Sequence, residues 1–485
     1  MSLPSSVGLP NEMMLGNLDY SLPSDAKSYS VKVQPSNISS VTSPTYTATA
    51  SSNLDLTFPS QNIIFDLPAG ASKSMFLDSR FTTLGFRMTI NVVSGGSSSA
   101  VTTGCLRSHA NSFFDRMYIT SQNGQIIEDI GEYGLVNDTL VNLQMNNSVR
   151  DGIATQYGFS SLNAIDSQGH NIGVFTANAG LITGQSESHA YAVPLLSGSI
   201  GVLADKFLNI GRTSKLQVVL QTTSVLPLTI VTGTATTPGT FSVTLSDFSL
   251  QCEYVDIGLN ALNMLDQTLV DGKSYIHGVT YRSSSSTLPA TSGSTSILAG
   301  IRASSVKSLF TRFVDGGSIN TTNSINGKYD SKNPMINNIQ FNVGGIKYPQ
   351  TPVNPLLNPA SAFSETQKAI GSFNNSQFQS SISVPQYCKL SAGGSAQSLT
   401  LGASQEYSWN LGSAVDKQSL FIFGENVEVC ARRGLLSGLN CTSAPIFIEM
   451  NIATAPTNAH TLHTIAMLDQ VLIHDVNSGD ISVRI

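Results

Sequence analysis

From Leu84 to Val92 every second side chain is apolar: Leu84, Phe86, Met88, Ile90 and Val92 alternate with Gly85, Arg87, Thr89 and Asn91. A period of two is the signature of a strand with one face on a core and one in water. The same pattern recurs in shorter pieces. "LDLTF" puts Leu54, Leu56 and Phe58 on one side, and "NIIFDLPAG" is a compact apolar run closed by Pro68-Ala69-Gly70. In "FFDRMYITSQNGQIIEDI", Asn123-Gly124 supplies the positive φ angles that a tight two-residue hairpin turn demands. "GEYGLVNDTLVNLQ" has mixed spacing and predicts a short helix, after which "SHAYAVPLL", "KLQVVLQTT", "PLTIV" and "FSVTLSDFSLQCEYVDI" resume the strand pattern up to Asp256. About eight strands between residues 54 and 256 are enough for one sandwich.

The second half follows the same logic in different letters. "VKSLFTRFV", "NNIQFNVGGIKYPQ", "QEYSWNL", "SLFIFGENVEV", "PIFIEMNIA" and "QVLIHDVNSGDISVRI" read as strands, with hairpins at Gly344-Gly345 and at Asn477-Ser478-Gly479. Two sandwiches in tandem fit the 485 residues, at roughly 100–200 residues per domain. The expected division is an N-terminal arm at 1–57, a first sandwich at 58–256 and a second at 257–485. The arm is rich in Ser, Pro, Thr and Asn and shows little periodicity. "RSSSSTLPATSGSTS" at 282–296 and "YPQTPVNPLLNPASAF" at 348–363 read as long contact-making loops.

Composition sharpens this all-β reading. Charged residues make up 12%, about half the usual share, and hydrophobic residues 40%, which excludes both a disordered chain and a coiled coil. Twenty-five basic against 31 acidic residues give a net charge of −6, and Arg432-Arg433 is the lone adjacent basic pair. A chain that coats nucleic acid needs clustered Lys and Arg, so direct nucleic-acid binding is not expected. The first twenty residues lack the basic and apolar regions of a secretory signal, and no apolar run is long enough for a membrane helix. The five widely spaced cysteines, with no CxxC pair, read as buried free thiols from a reducing compartment.

Sites of chemistry are sparse. His460, His463 and His474 lie near one another in sequence, but a set spread over two kinds of local structure is a loose one for a metal, and strand-end histidines are the simpler reading. "DVNSGD" has the look of a calcium loop but lacks the spacing and the closing Glu, so it reads as a hairpin turn. Ser108-His109 and Ser188-His189 are adjacent on strands and point to opposite faces, so neither is a nucleophile-base dyad. There is no Walker loop, GxGxxG, GxSxG or HExxH. No enzyme activity, metal or cofactor is expected. Trp409, the single tryptophan, shares a strand phase with Tyr407 and reads as a core or interface anchor.

Several segments in order carry a resemblance. "VKVQPSN", "QNIIFDLPAG", "SMFLDSRFTTLGFRMTI", "NSFFDRMYITSQNGQIIEDIGEYG", "FLNIGRTSKLQVVLQTT" and, near the end, "GLLSGLNCTSAPIFIEMNI" and "AMLDQVLIHDVNSGDISVRI" resemble major capsid proteins of the double jelly-roll lineage, most of all those of polinton-like viruses and virophages. The resemblance implies two tandem eight-stranded jelly rolls and a homotrimeric capsomer of six lobes. Such capsomers tile the icosahedral shell of a double-stranded DNA virus against neighbouring capsomers, penton and minor capsid proteins and, where the particle has one, an internal membrane. It places the protein in the virion after synthesis in the host cell interior. Phe76, Leu77, Asp78, Arg116 and Trp409 are the candidate structural or interface residues. The rival classes are another virion surface protein, a spike or fibre, and a β-sandwich adhesin or lectin. Both predict features this sequence lacks: fixed-period repeats for the fibre, a signal peptide and disulfides for the adhesin.

Overall fold

The computed structural model describes residues 26–48, 57–68, 72–94, 103–106, 108–159, 186–204, 206–231, 239–267, 269, 271–316, 327–373, 380–382, 384–388, 419–428 and 436–485. Its first half contains β1 (Lys27–Val33), β2 (Ser40–Thr42), β3 (Tyr46–Ala48), β4 (Asn62–Asp66), β5 (Met75–Ser94), β6 (Thr103–Leu106), β7 (Phe114–Ser121) and β8 (Ile126–Gly131). Helices α1 (Tyr133–Gln144), α2 (Asn147–Gly152) and α3 (Ala154–Tyr157) precede β9 (Ser186–Pro194), β10 (Leu216–Thr222), β11 (Leu228–Val231) and β12 (Gly239–Asp256). After α4 (Gly258–Asp266) come β13 (Lys273–Leu288), β14 (Gly293–Ala299), β15 (Val306–Asp315), β16 (Ile336–Val343) and β17 (Ile346–Val353). The chain ends with α5 (Pro359–Ile370), α6 (Val384–Tyr387), β18 (Ile422–Asn426), β19 (Ile446–Ile452), β20 (His460–Asp475) and β21 (Ile481–Arg484).

Strand order shows the duplication. The first half makes one sheet β1-β12-β5-β9, with β2 and β3 also on β12, and a second sheet β4-β10-β7-β8. The second half makes β13-β20-β15-β18, with β21 on β20, and β14-β19-β16-β17. If β1–β3 count as one strand and the β6–β11 ribbon is set aside, both halves have the same two sheets, in the order 1-8-3-6 and 2-7-4-5. That wrapping is the jelly roll, two Greek keys facing each other across a core. The chain is a double jelly roll.

The alternation that begins the first roll holds in three dimensions, since Leu84, Phe86, Met88, Ile90 and Val92 are all buried. The segment read as an arm is different. From Lys27 to Ala48 it pairs antiparallel along β12 as the first strand of the first roll, and Val41 and Tyr46 lie in the core. Its inward set, Val31 and Val33, is too short, and too soon followed by Pro35, to stand out as a pattern.

Other expected loops are also ordered. Ser283–Ser286 pair with Ile465–Leu462 on β20, so a serine run becomes strand through backbone bonds and not through side-chain burial. Of 348–363, the first part is β17, and the last is α5, capped by the Asn358 side chain on Ser361 N at 3.0 Å with Pro359 following. The β7–β8 turn is longer by one residue than expected. Ser121 closes on Gln125, and Gly124 alone takes a positive φ, 75°, giving a three-residue loop. The Gly344-Gly345 hairpin is the two-residue type, with φ of 59° and 94°. "GEYGLVNDTLVNLQ" does form the helix α1.

Candidate functional site

The two rolls are welded along a buried polar seam. On the first-roll side are β8, α1 and the 195–204 turn; on the second, the outer face of β13, β15 and β20. Glu128, in the apolar run of β8, is 1% exposed. Its carboxylate accepts from Gly198 N at 2.8 Å, Ser199 N at 3.2 Å and the Ser197 hydroxyl, and from Thr280 Oγ1 of the second roll at 2.7 Å. Gln470 Nε2 donates back across the seam to Ser199 Oγ at 2.8 Å. Burial pushes the Glu128 pKa up, against the pull of these donors. Beside it Gly198 and Gly278 bring two backbones together so closely that a Cβ on Gly278 would overlap the Gly198 carbonyl.

A second knot lies one helix away. Asp138 sits within the apolar α1 and Arg312 within the apolar β15, at 3% and 0% side-chain exposure, joined NH1 to Oδ2 at 2.6 Å. Arg312 also donates to Thr139 Oγ1 at 3.1 Å and to Tyr329 O at 2.7 Å, while the Ser108 hydroxyl donates to Asp138. Around this pair Tyr329 OH donates to Ser112 O at 3.0 Å, Lys328 Nζ meets Asp115 at 2.5 Å, and Arg150 spans Asn142 and Ser381 at 3.1 and 3.0 Å. At the linker, Arg212 grips Asp266 of α4 with two bonds, at 2.7 and 2.8 Å. These bonds cross between the two halves or brace the groups that do, so the seam ties the two rolls together. Phe310, Ile465 and Tyr281 of the second roll accordingly belong to the first roll's hydrophobic core.

The residues singled out in the sequence are scattered. Leu77 faces the core, and Phe76 is half-buried beside it. Asp78 is buried and held by both arms of Arg80 at 3.0 Å. Just beyond, β5 bulges: Gln251 pairs with Thr83 and Glu253 with Asp78, so Ser79–Thr82 stand opposite Cys252 alone and Phe81 is turned out to 57% exposure. Arg116 lies on the outer face of β7, paired with Asp129 at 2.8 and 2.7 Å and stacked on Tyr118 at 5.0 Å. Trp409, with Tyr407 and the strand expected there, lies outside the described residues.

The three histidines occupy one strand, β20, where His460 and His463 project from opposite faces and His474 is eleven positions beyond His463. His460 Nδ1 bonds Asn458 O at 2.9 Å, His463 Nδ1 lies 3.7 Å from Glu132, and His474 Nε2 lies 3.4 Å from Arg212 O. Burial, with Arg312 and Lys328 nearby, pushes His463 down to about 3. Among the described residues no group of three or more His, Cys, Asp or Glu is placed to hold a metal ion. In "DVNSGD" the Asp475 carboxylate is occupied by the amides of Asn477 and Ser478 in the final hairpin. Ser108 and His109 have separate partners, Asp138 and the Asn111 amide. His189 bonds Glu187 at 3.0 Å. Cys252, Cys388 and Cys441 are buried free thiols.

Sequence reading did not single out Glu128, Asp138 or Arg312. A signal for them exists: Asp138 and Arg312 are each a lone charge inside an apolar run, "LVNDTLV" and "SLFTRFV", and Glu128 with Asp129 interrupts "IIEDI", in a chain with few charges to spend.

No protein-family model matches the sequence, and no curated protein does. Solved structures do. A chain of the Sputnik virophage structure matches at TM-score 0.56 and 13% identity, over 100% of this chain and 93% of that one. The Faustovirus major capsid protein matches at 0.50 and 10%, over 94% and 92%. PBCV-1 VP54, fitted into a reconstruction of the virophage Sputnik, matches at 0.50 and 9%, over 96% and 98%. At these identities what is shared is the fold, along both rolls. No helix among the described residues is long and apolar enough to cross a membrane.

Proposed function

We propose that this chain is the major capsid protein of an icosahedral double-stranded DNA virus, a homotrimer forming a six-lobed capsomer. The observation that carries this reading is a doubled jelly roll whose halves are welded by a buried seam, in a chain that matches capsid folds from end to end. The physical logic is one of tiling. Three rigid two-lobed blocks present a nearly hexagonal outline, so each capsomer takes six neighbours although its symmetry is threefold. Closed jelly rolls also limit the bare strand edges that would pair without control at shell concentrations. The work of the chain, on this reading, is contact and not catalysis. Its partners are its own copies, neighbouring capsomers, penton and minor capsid proteins and any internal membrane, and its place is the virion shell.

The test is the mass and outline of the purified protein. Light scattering should give three chain masses, and negative-stain images should show compact particles of triangular to hexagonal outline. A stable one-chain species at micromolar concentration would overturn the proposal.

A further inference from the structure

The seam leaves one gap. Glu132, the residue that turns the chain from β8 into α1, and His463 of β20 face each other across it, with Oε2 and Nδ1 3.7 Å apart. Both atoms are buried, and neither has a hydrogen-bond partner. An acceptor shut away from water without a donor is costly, and two of them facing each other add the repulsion of their lone pairs. Glu132 also holds a left-handed backbone, φ 51° and ψ 37°, which side chains other than Asn and Asp seldom adopt. The charges around the pair are engaged elsewhere. Arg312 of β15 stands opposite His463 and is bonded to Asp138, while Lys328, from the short 3-10 turn Gly327–Tyr329, meets Asp115 of β7. Ser285, opposite His463 on β13, is uncharged. What the gap lacks is a proton.

We propose that Glu132 and His463 form a proton-operated clasp between the two rolls, in which one proton, bound as the pH falls, closes the gap between Oε2 and Nδ1 into a hydrogen bond. The carboxylate takes this proton from solvent, its O–H donates to the Nδ1 lone pair, and the neutral imidazole keeps its own proton on Nε2. Burial holds Glu132 above the usual carboxylate range, against Lys328 and together with Asp115. Burial, with Arg312 and Lys328, holds His463 low, so the shared proton belongs to the carboxyl side. Folded Glu132 therefore binds its proton more readily than the unfolded chain does. The stability it contributes is fully present below 4.5 and is lost as the pH rises through the folded value. Acid tightens the seam at this point, opposite in direction to the buried histidines. Both groups belong to one chain, so the clasp does not depend on the capsid reading.

Glu132→Gln is the test, because its side-chain amide carries permanently the donor that Glu132 gains only with a proton. Melting of the full-length protein is followed from pH 8 to pH 4.5. The variant should melt about 2 °C above the parent at pH 8, and the difference should shrink toward zero as the pH is lowered. In a His463→Gln background the new amide donates to the ionised carboxylate, and Glu132→Gln should then bring no pH-dependent gain. Difference infrared spectra between pH 8 and pH 4.5 should show a carboxylic C=O band in the parent that Glu132→Gln lacks. The same offset between parent and variant at every pH marks a purely structural role and overturns the proposal. A variant that melts below the parent at pH 8 also overturns it, by showing that the neutral imidazole already donates to the ionised carboxylate. So does a pH-dependent gain that survives in the His463→Gln background, because the proton then has another partner.

Discussion

Arg312 and Asp138 are worth little to stability as a pair and much as a constraint. Taking two charges out of water offsets most of their attraction, but stripping one partner strands the other in the seam, at about 3–5 kcal/mol. Arg312→Met and Asp138→Leu should each destabilise the protein by that amount, and the double variant by less than either. Chemical denaturation of the four proteins measures the cycle. The buried histidines set the acid limit. Burial, with Arg312 and Lys328 nearby, holds His463 at about 3; burial, with Arg150 nearby, holds His109 at about 4 although Asp138 pulls it up. Both folded values lie below the unfolded 6.5, so in that window the unfolded chain binds more protons and stability is lost as the pH is lowered. The loss begins near pH 6.5 and runs to about 4 for His109 and about 3 for His463. Replacing His463 by Gln should reduce the slope of unfolding free energy over pH 4–6 by about 1.4 kcal/mol per pH unit. An unchanged slope would show that His463 does not stay neutral in the fold.

At the scale of elements, the run from Lys27 to Ala48 decides where the first roll begins. It supplies the edge partner of β12, and the Tyr46 ring packs tilted against Phe241 with centroids 5.2 Å apart, so its removal bares both a strand edge and the core. Deleting residues 2–25 should leave the melting temperature of the single chain unchanged, whereas deleting 2–48 should lower it by several degrees or drive aggregation. Equal melting temperatures for the two deletions would mean that the strand adds nothing to the roll. The same contrast explains which elements were legible. β5 and β7 bury one clean face, so their period of two appears in the letters. β1 and the serine half of β13 owe their form to the strand beside them, and backbone pairing leaves no mark in hydrophobicity.

At the scale of the whole molecule, rigidity is what the seam provides and repetition is what it makes possible. On the proposed reading, a capsomer built of blocks that flexed between the rolls could not hold a constant outline, and the Glu128 network before α1 and the Asp138 network within it tie the rolls together. The trimer proposed above belongs to this scale, because a six-lobed outline needs both rolls of every chain. The sequence by itself determined the all-β class, the tandem doubling and most of the core strands, since alternation and composition are local records of which face meets water. The tertiary structure alone decided that both halves share one strand order, that the arm from Lys27 is a strand, and that Glu128, Asp138 and Arg312 find their partners across a seam. Those facts depend on residues far apart in the chain, such as Asp138 and Arg312, becoming neighbours, and spacing along a sequence does not encode distance across a fold.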